Sequence, residues 1–244
     1  MLFFLYQAVL TYHWVLILSA VIPAIILMVK VYNSDRIEKE SPRLLLNLVE
    51  AGILSTLLAM LEETIGEYIL SSFVSPESTA YNVIMFFVVV GISEETSKYI
   101  FMKRRTWKDP EFNCQYDGVV YALFTSLGFA LWENISYVCS FGFSTALVRA
   151  VTAIPGHASF GVFMGVFYGA AKKASANGDE TKSRILRIVG VLTAVIMHGA
   201  YDYLATVLDE SGTIWFFVYM VALFIIAFIT VNKASQKDTY IRQG

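Results

Sequence analysis

Charge is scarce in this chain. Asp, Glu, Lys and Arg together supply 16% of its 244 residues, where a soluble domain carries about 25%. With 57% hydrophobic residues and a mean hydropathy of +0.60, the sequence holds more apolar surface than a soluble core absorbs. Cysteine is nearly absent. Cys114 and Cys139 have no metal-site spacing, and a helix would hold them about 37 Å apart, so neither a disulfide framework nor a cysteine metal site is expected. No basic residue precedes Lys30, which excludes the n-region of a secretory signal and implies that the first apolar run is retained. The net charge of −2 argues against a nucleic-acid partner. Tandem repeats and low-complexity tracts are also lacking, so residues 1–244 read as one integral-membrane domain.

What the chain has in place of charge is a succession of apolar runs, at roughly 11–32, 43–61, 80–102, 116–139, 146–171, 185–208 and 213–231. Each approaches the roughly 20 residues that a helix needs to cross about 30 Å of hydrocarbon. The fold class implied is all-α, a polytopic transmembrane bundle of about seven spans. Residues Glu62 to Phe73 read as an interfacial extension of the second span, and His13 as an interfacial residue of the first. Every Lys and Arg except Arg149 falls in or beside the alternate loops after the first, third and fifth runs, or in the tail. The loops holding Glu62, Glu63, Glu67 and Glu77, and later Asp209 and Glu210, contain no base. By the positive-inside rule the N-terminus lies outside and the C-terminus in the cytoplasm, and the basic loops meet anionic lipid.

Against this apolar background a few polar residues stand out. A charged side chain at mid-membrane costs about 2.5–3.5 kcal/mol on insertion scales, so such residues usually face a cavity and act there. Glu94 and Glu95 lie in Gly91-Ile-Ser-Glu-Glu-Thr-Ser-Lys98 of the third run, Glu94 about 13 Å from the basic cluster at Lys103. Adjacent helix positions differ by about 100°, so one acid can face a reaction centre while the other holds a partner. Lys98, one turn on, can pair with Glu94, and a structural ion pair is the alternative role for this group. His157 follows Pro155-Gly156, where a kink is expected, and Gly161, Gly165 and Gly169 continue from it as a packing stripe, so the imidazole points towards protein. His198 and Asp202 share a helix face at i,i+4 spacing, where the carboxylate can orient the imidazole. Glu133 and Asn134 add an acid and an amide in the fourth run, expected nearer the outer face. Glu50, Asp117 and Arg149 read as interfacial or pairing residues.

Five blocks in this order resemble the PrsW family of polytopic membrane proteases, relatives of the CAAX-processing and bacteriocin-immunity glutamate proteases. They are Glu94-Glu-Thr-Ser-Lys98, Tyr116-Asp-Gly-Val-Val-Tyr121, Phe129 to Asn134, Arg149-Ala with His157-Ala158, and His198-Gly-Ala-Tyr-Asp202, within residues of about 90–205. The resemblance implies site-specific hydrolysis of a single-pass membrane protein, anti-sigma factors being the known substrate class, in a bacterial plasma membrane. It carries the paired acids and two histidines over to Glu94, Glu95, His157 and His198, with Glu133, Asn134, Asp202, Lys98 and Arg149 in support. In the CAAX-processing relatives the second motif ends in His where this chain has Glu133. Two mechanisms remain open. In the glutamate version Glu94, aided by Glu95, activates water with no cofactor, and the histidines assist. In the metal version a zinc ion takes Glu94, His157 and His198 as ligands. A catalytically silent scaffold and a small-solute or ion transporter are the rival classes; a transporter usually shows two related halves, which this sequence does not.

Overall fold

The computed structural model describes residues 2–206 and 210–241, with side chains described at Gln7, at Thr11, over 14–206 and over 213–241. The expectations for the His13 side chain, Asp209, the Glu210 side chain and Arg242 therefore lie outside the described residues. The described chain is helical throughout, and its β-structure is confined to one isolated bridge between Cys114 and Tyr240.

Helix α1 (Leu2–Ser34) and helix α2 (Pro42–Phe73) form the first pair. Ser41 caps α2: its extended backbone sets Pro42 at the first helical position, and its Oγ accepts from the Leu44 amide at 3.2 Å. The 32 residues of α2 extend about 48 Å, well past a hydrocarbon core, so Glu62 to Phe73 continue the second span as a helix.

The third apolar run, expected as a single span over 80–102, is unbroken helix in three pieces. It comprises α3 (Thr79–Ile84), a π-helical turn (Met85–Val90) and α4 (Gly91–Thr106). Among the described residues, six helical stretches are long and apolar enough to cross a membrane; this run is not among them, because the π turn divides it and the 16 residues of α4 carry Glu94, Glu95, Lys98 and the basic end Lys103-Arg104-Arg105. A π turn widens the helix by one residue and re-aims the next turn. Here it leads directly into the paired acids.

Helix α5 (Asp117–Phe141) is the most enclosed element, packed between α2 and helix α7 (Ala153–Ala176). Small residues bring the backbones together: a Cβ on Gly118 would lie 2.7 Å from the Gly165 carbonyl oxygen, and one on Gly165 would lie 2.6 Å from Val119 Cα. The glycine stripe of α7 thus faces α5. The fifth run also differs from expectation. Its break falls at Thr152 (φ −119°, ψ −72°), between α6 (Phe143–Val151) and α7, and Pro155 sits in the first turn of α7. There its missing N–H would have had no partner, so proline helps start a helix where a mid-helix kink was expected. Helices α8 (Glu180–Thr206) and α9 (Glu210–Gln236) complete the bundle, with α8 against α7 and α4.

Exposed Leu, Ile, Val, Phe and Trp side chains run along the outer faces of α1, α2, α8 and α9. In water such patches are rare; in a bilayer they are the lipid-facing surface. The architecture is that of a multi-pass membrane protein.

Candidate active site

Side chains from five helices form one polar chain. On α4, the Lys98 ammonium donates to Glu94 Oε2 at 2.9 Å and to Glu95 Oε1 at 2.7 Å, lies 3.1 Å from His157 Nδ1, and sits 4.0 Å above the Phe129 ring. From α7, His157 turns its other nitrogen, Nε2, to Glu133 Oε2 of α5 at 2.9 Å. That carboxylate oxygen also lies 3.0 Å from Arg149 of α6. Arg149 Nε donates to Asn134 Oδ1 at 2.9 Å, and Asn134 Nδ2 donates to the Ala20 carbonyl of α1 at 3.0 Å. At the other end, His198 of α8 places Nδ1 2.9 Å from Glu95 Oε1 and Nε2 3.3 Å from Asp202 Oδ2. The two imidazole rings meet edge to face with centroids 5.2 Å apart, and Phe160 stacks on His198 at 4.9 Å.

The order of contacts defines the electrostatics. Lys98 has only protons to give, so His157 Nδ1 accepts from it and Nε2 donates to Glu133; this tautomer is set by the partners. Both imidazoles thus present Nδ1 to the Glu94, Glu95 and Lys98 centre, and each has a carboxylate behind Nε2. Burial separates the two acids. Glu95 is 0% exposed and ties Lys98 to His198, whereas Glu94 is 6% exposed and lines a cavity of about 570 Å³. Glu133, Arg149, His157, His198 and Asp202 line the same cavity, and Trp132 and Tyr137 form an apolar and aromatic part of its wall.

All nine residues picked out by sequence belong to this network. Both acids of α4 contact the same ammonium, however, so the division of labour expected from their 100° offset is one of burial and not of partner. Glu133 was expected in a supporting place nearer the outer face; the structure brings it to the same cavity as Glu94. The reason is that the whole site is displaced. His157 lies four residues, about 6 Å, from the start of α7, while Glu133 lies eight residues, about 12 Å, from the end of α5. Those ends are the ones remote from the basic loops. Sequence reasoning missed Glu63, which α2 brings to the cavity, and Glu62, whose Oε2 accepts from Ser97 Oγ at 3.4 Å. Their signal was present as two acids at the edge of the second apolar run, but they read there as part of a base-free loop.

One donor atom from each of Glu94, Glu95, His157 and His198 falls within 4.8 Å of the others. Two imidazoles with carboxylates behind them, together with further carboxylates, suit a zinc ion in kind. Lys98 is the qualification, since its ammonium stands 2.7–3.1 Å from three of those four residues and would have to withdraw.

Comparison with known proteins agrees with this architecture. Residues 40–230 match the model of the PrsW family, described as intramembrane metalloproteases. Among curated relatives, Protease PrsW of Geobacillus kaustophilus is 30% identical over 93% of this chain and 94% of its own length. Protease PrsW of Oceanobacillus iheyensis is 32% identical over 90% of this chain and 96% of its own. Protease PrsW of Bacillus subtilis is 35% identical over 51% of this chain and 55% of its own. No solved structure matches the chain. The chain belongs to the PrsW family of intramembrane proteases, and is accordingly a peptidase of the multi-pass membrane class.

Proposed function

We propose that the chain hydrolyses a peptide bond of a single-pass membrane protein, with Glu94 activating water and the Glu95, His157 and His198 group assisting. An anti-sigma factor in a bacterial plasma membrane is the substrate class that the family suggests. The observation that carries this reading is the asymmetry of the acids: Glu94 borders the cavity while Glu95 is sealed behind it, bound to Lys98 and His198. In the proposed reaction Glu94 takes a proton from water as its oxygen bonds to the scissile carbonyl carbon. His157 and His198, which also line the cavity, supply the positive or hydrogen-bonding side facing the oxyanion, each releasing one of its present partners to do so. The C–N bond then breaks and Glu94 returns the proton to the leaving amine nitrogen. Glu95 fixes the ammonium and His198, and Glu133 and Asp202 orient the two imidazoles.

Lys98 favours this metal-free version, because the cation at the centre of the carboxylates is supplied by the chain. The inward-facing Nδ1 atoms favour a second reading. A zinc ion held there by Glu94, His157 and His198 would supply a bound water acidic enough to react near neutral pH. Elemental analysis of active, purified protein separates the two. The glutamate version predicts well under one metal ion per active chain and activity that survives strong chelation. Tightly bound zinc in the wild type, lost in His198→Ala, overturns it.

With the N-terminus outside and the C-terminus cytoplasmic, as the basic loops favour, the cavity opens in the outer half of the bilayer. The scissile bond then belongs to the extracytoplasmic part of the substrate's span or its flank.

A further inference from the structure

A second group of acids lies at the opposite end of the bundle. Asp35 follows α1, Glu40 immediately precedes the Ser41 cap of α2, and Asp117 opens α5; they are 5%, 5% and 1% exposed. One carboxylate oxygen from each falls within 4.8 Å of the other two. Among the described residues, no Lys or Arg forms an ion pair with any of them. The nearest base, Lys39, donates instead to the carbonyl oxygens of Tyr32 and Asp35.

The surrounding acids and Asp117 have found partners, which makes Asp35 distinctive. Glu111 accepts from the Ser41 amide and hydroxyl at 2.7 Å each, and Asp238 Oδ1 accepts from the Tyr116 amide at 2.8 Å. Asp117 Oδ2 accepts from the Asn113 and Cys114 amides at 3.0 and 2.6 Å. By contrast, both carboxylate oxygens of Asp35 are buried and aimed into the cluster, approached by the Ile37 and Glu38 amides without a hydrogen bond of good geometry. Buried polar groups left this way are rare in folded proteins and call for a ligand.

We propose that Asp35, Glu40 and Asp117 form a binding site for a hard divalent cation such as Ca²⁺, which fastens the linker between α1 and α2 to the start of α5. The donors are all oxygen, which selects Ca²⁺ or Mg²⁺ over the zinc that imidazole prefers. The site is separate from the histidine-lined cavity, and its role is to anchor the linker rather than to take part in hydrolysis.

The test uses full-length protein in detergent, stripped by chelator and dialysed, with radioactive Ca²⁺ in equilibrium binding and thermal unfolding with and without millimolar Ca²⁺ or Mg²⁺. The wild type is expected to bind about one Ca²⁺ per chain and to melt several degrees higher when it is saturated. Asp35→Asn and Glu40→Gln should each weaken binding at least about tenfold and lose the thermal response. Because they relieve repulsion, they should fold at least as well as the stripped wild type. His198→Ala should retain both binding and response. Failure of the wild type to bind Ca²⁺ at millimolar concentration overturns the proposal, as does undiminished binding in both acid variants or loss of binding in His198→Ala.

Discussion

Replacing Lys98 by Met asks whether one ammonium is what lets two carboxylates share the apolar interior. Lys98 is 1% exposed, reaches Glu94 and Glu95 at 2.9 and 2.7 Å, and lies 4.0 Å over the Phe129 ring. Methionine would fill much of the same space while leaving both acids without a cation. Removing one partner of a buried ion pair costs about 3–5 kcal/mol, whereas replacing the whole pair is often close to neutral. The single variant should therefore lose about 3–5 kcal/mol of stability. In the Glu95→Gln/Lys98→Met double variant the sealed acid is neutral and Glu94 still borders the cavity, so most of the loss should be recovered. The coupling in a double-mutant cycle should reach at least about 2 kcal/mol. Denaturant unfolding in detergent, followed by tryptophan fluorescence, measures it. A wild-type midpoint in Lys98→Met, or a double variant no more stable than the single, would refute the reasoning.

Three other expectations concern orientation and packing. Asp202→Asn should lower the cleavage rate about 10-fold to 100-fold without loss of fold, because it weakens the partner that orients His198; unchanged kinetics would remove Asp202 from the site. Gly118→Ala should destabilise by about 1–3 kcal/mol or more, since its Cβ would meet the backbones of Gly169 and Gly165 at 2.5 and 2.7 Å; Gly156→Ala, with its nearest neighbour at 3.6 Å, should be neutral or stabilising in the same unfolding assay. A membrane-impermeant maleimide should label exposed Cys139 from outside intact cells and leave buried Cys114 unmodified until denaturation. Labelling of Cys139 only from the cytoplasmic side would reverse the proposed orientation.

The features most legible in the sequence were those set against an apolar background. Glu94, Glu95, Lys98, His157, His198 and Asp202 each interrupt a long hydrophobic run, and the cost of placing such groups in lipid made them stand out individually. The i,i+4 relation of His198 and Asp202 and the glycine stripe of α7 were also readable, because helix periodicity fixes which positions share a face. Depth was not. Counting residues from the basic loops treats each run as a straight rod, and the π turn before α4 and the break at Thr152 both violate that. Residue counting therefore set Glu133 nearer the outer face without showing that Glu94 borders the same cavity. Glu63 escaped for a related reason: the 32 residues of α2 outrun the apolar signal, so an acid on its extension looked like part of a loop. The Asp35, Glu40 and Asp117 cluster joins a linker to a helix 77 residues or more away in sequence, a contact set by tertiary packing that no local pattern records.

The most direct test of the proposed function is cleavage of a single-pass membrane substrate by the purified chain in proteoliposomes, comparing wild type with Glu94→Gln. Loss of a general base lowers a rate by about 10²–10⁴-fold, so the variant should fall at least about 10²-fold while its unfolding midpoint stays close to that of the wild type. Undiminished cleavage by the folded variant, or loss of activity only through loss of the fold, would contradict the account.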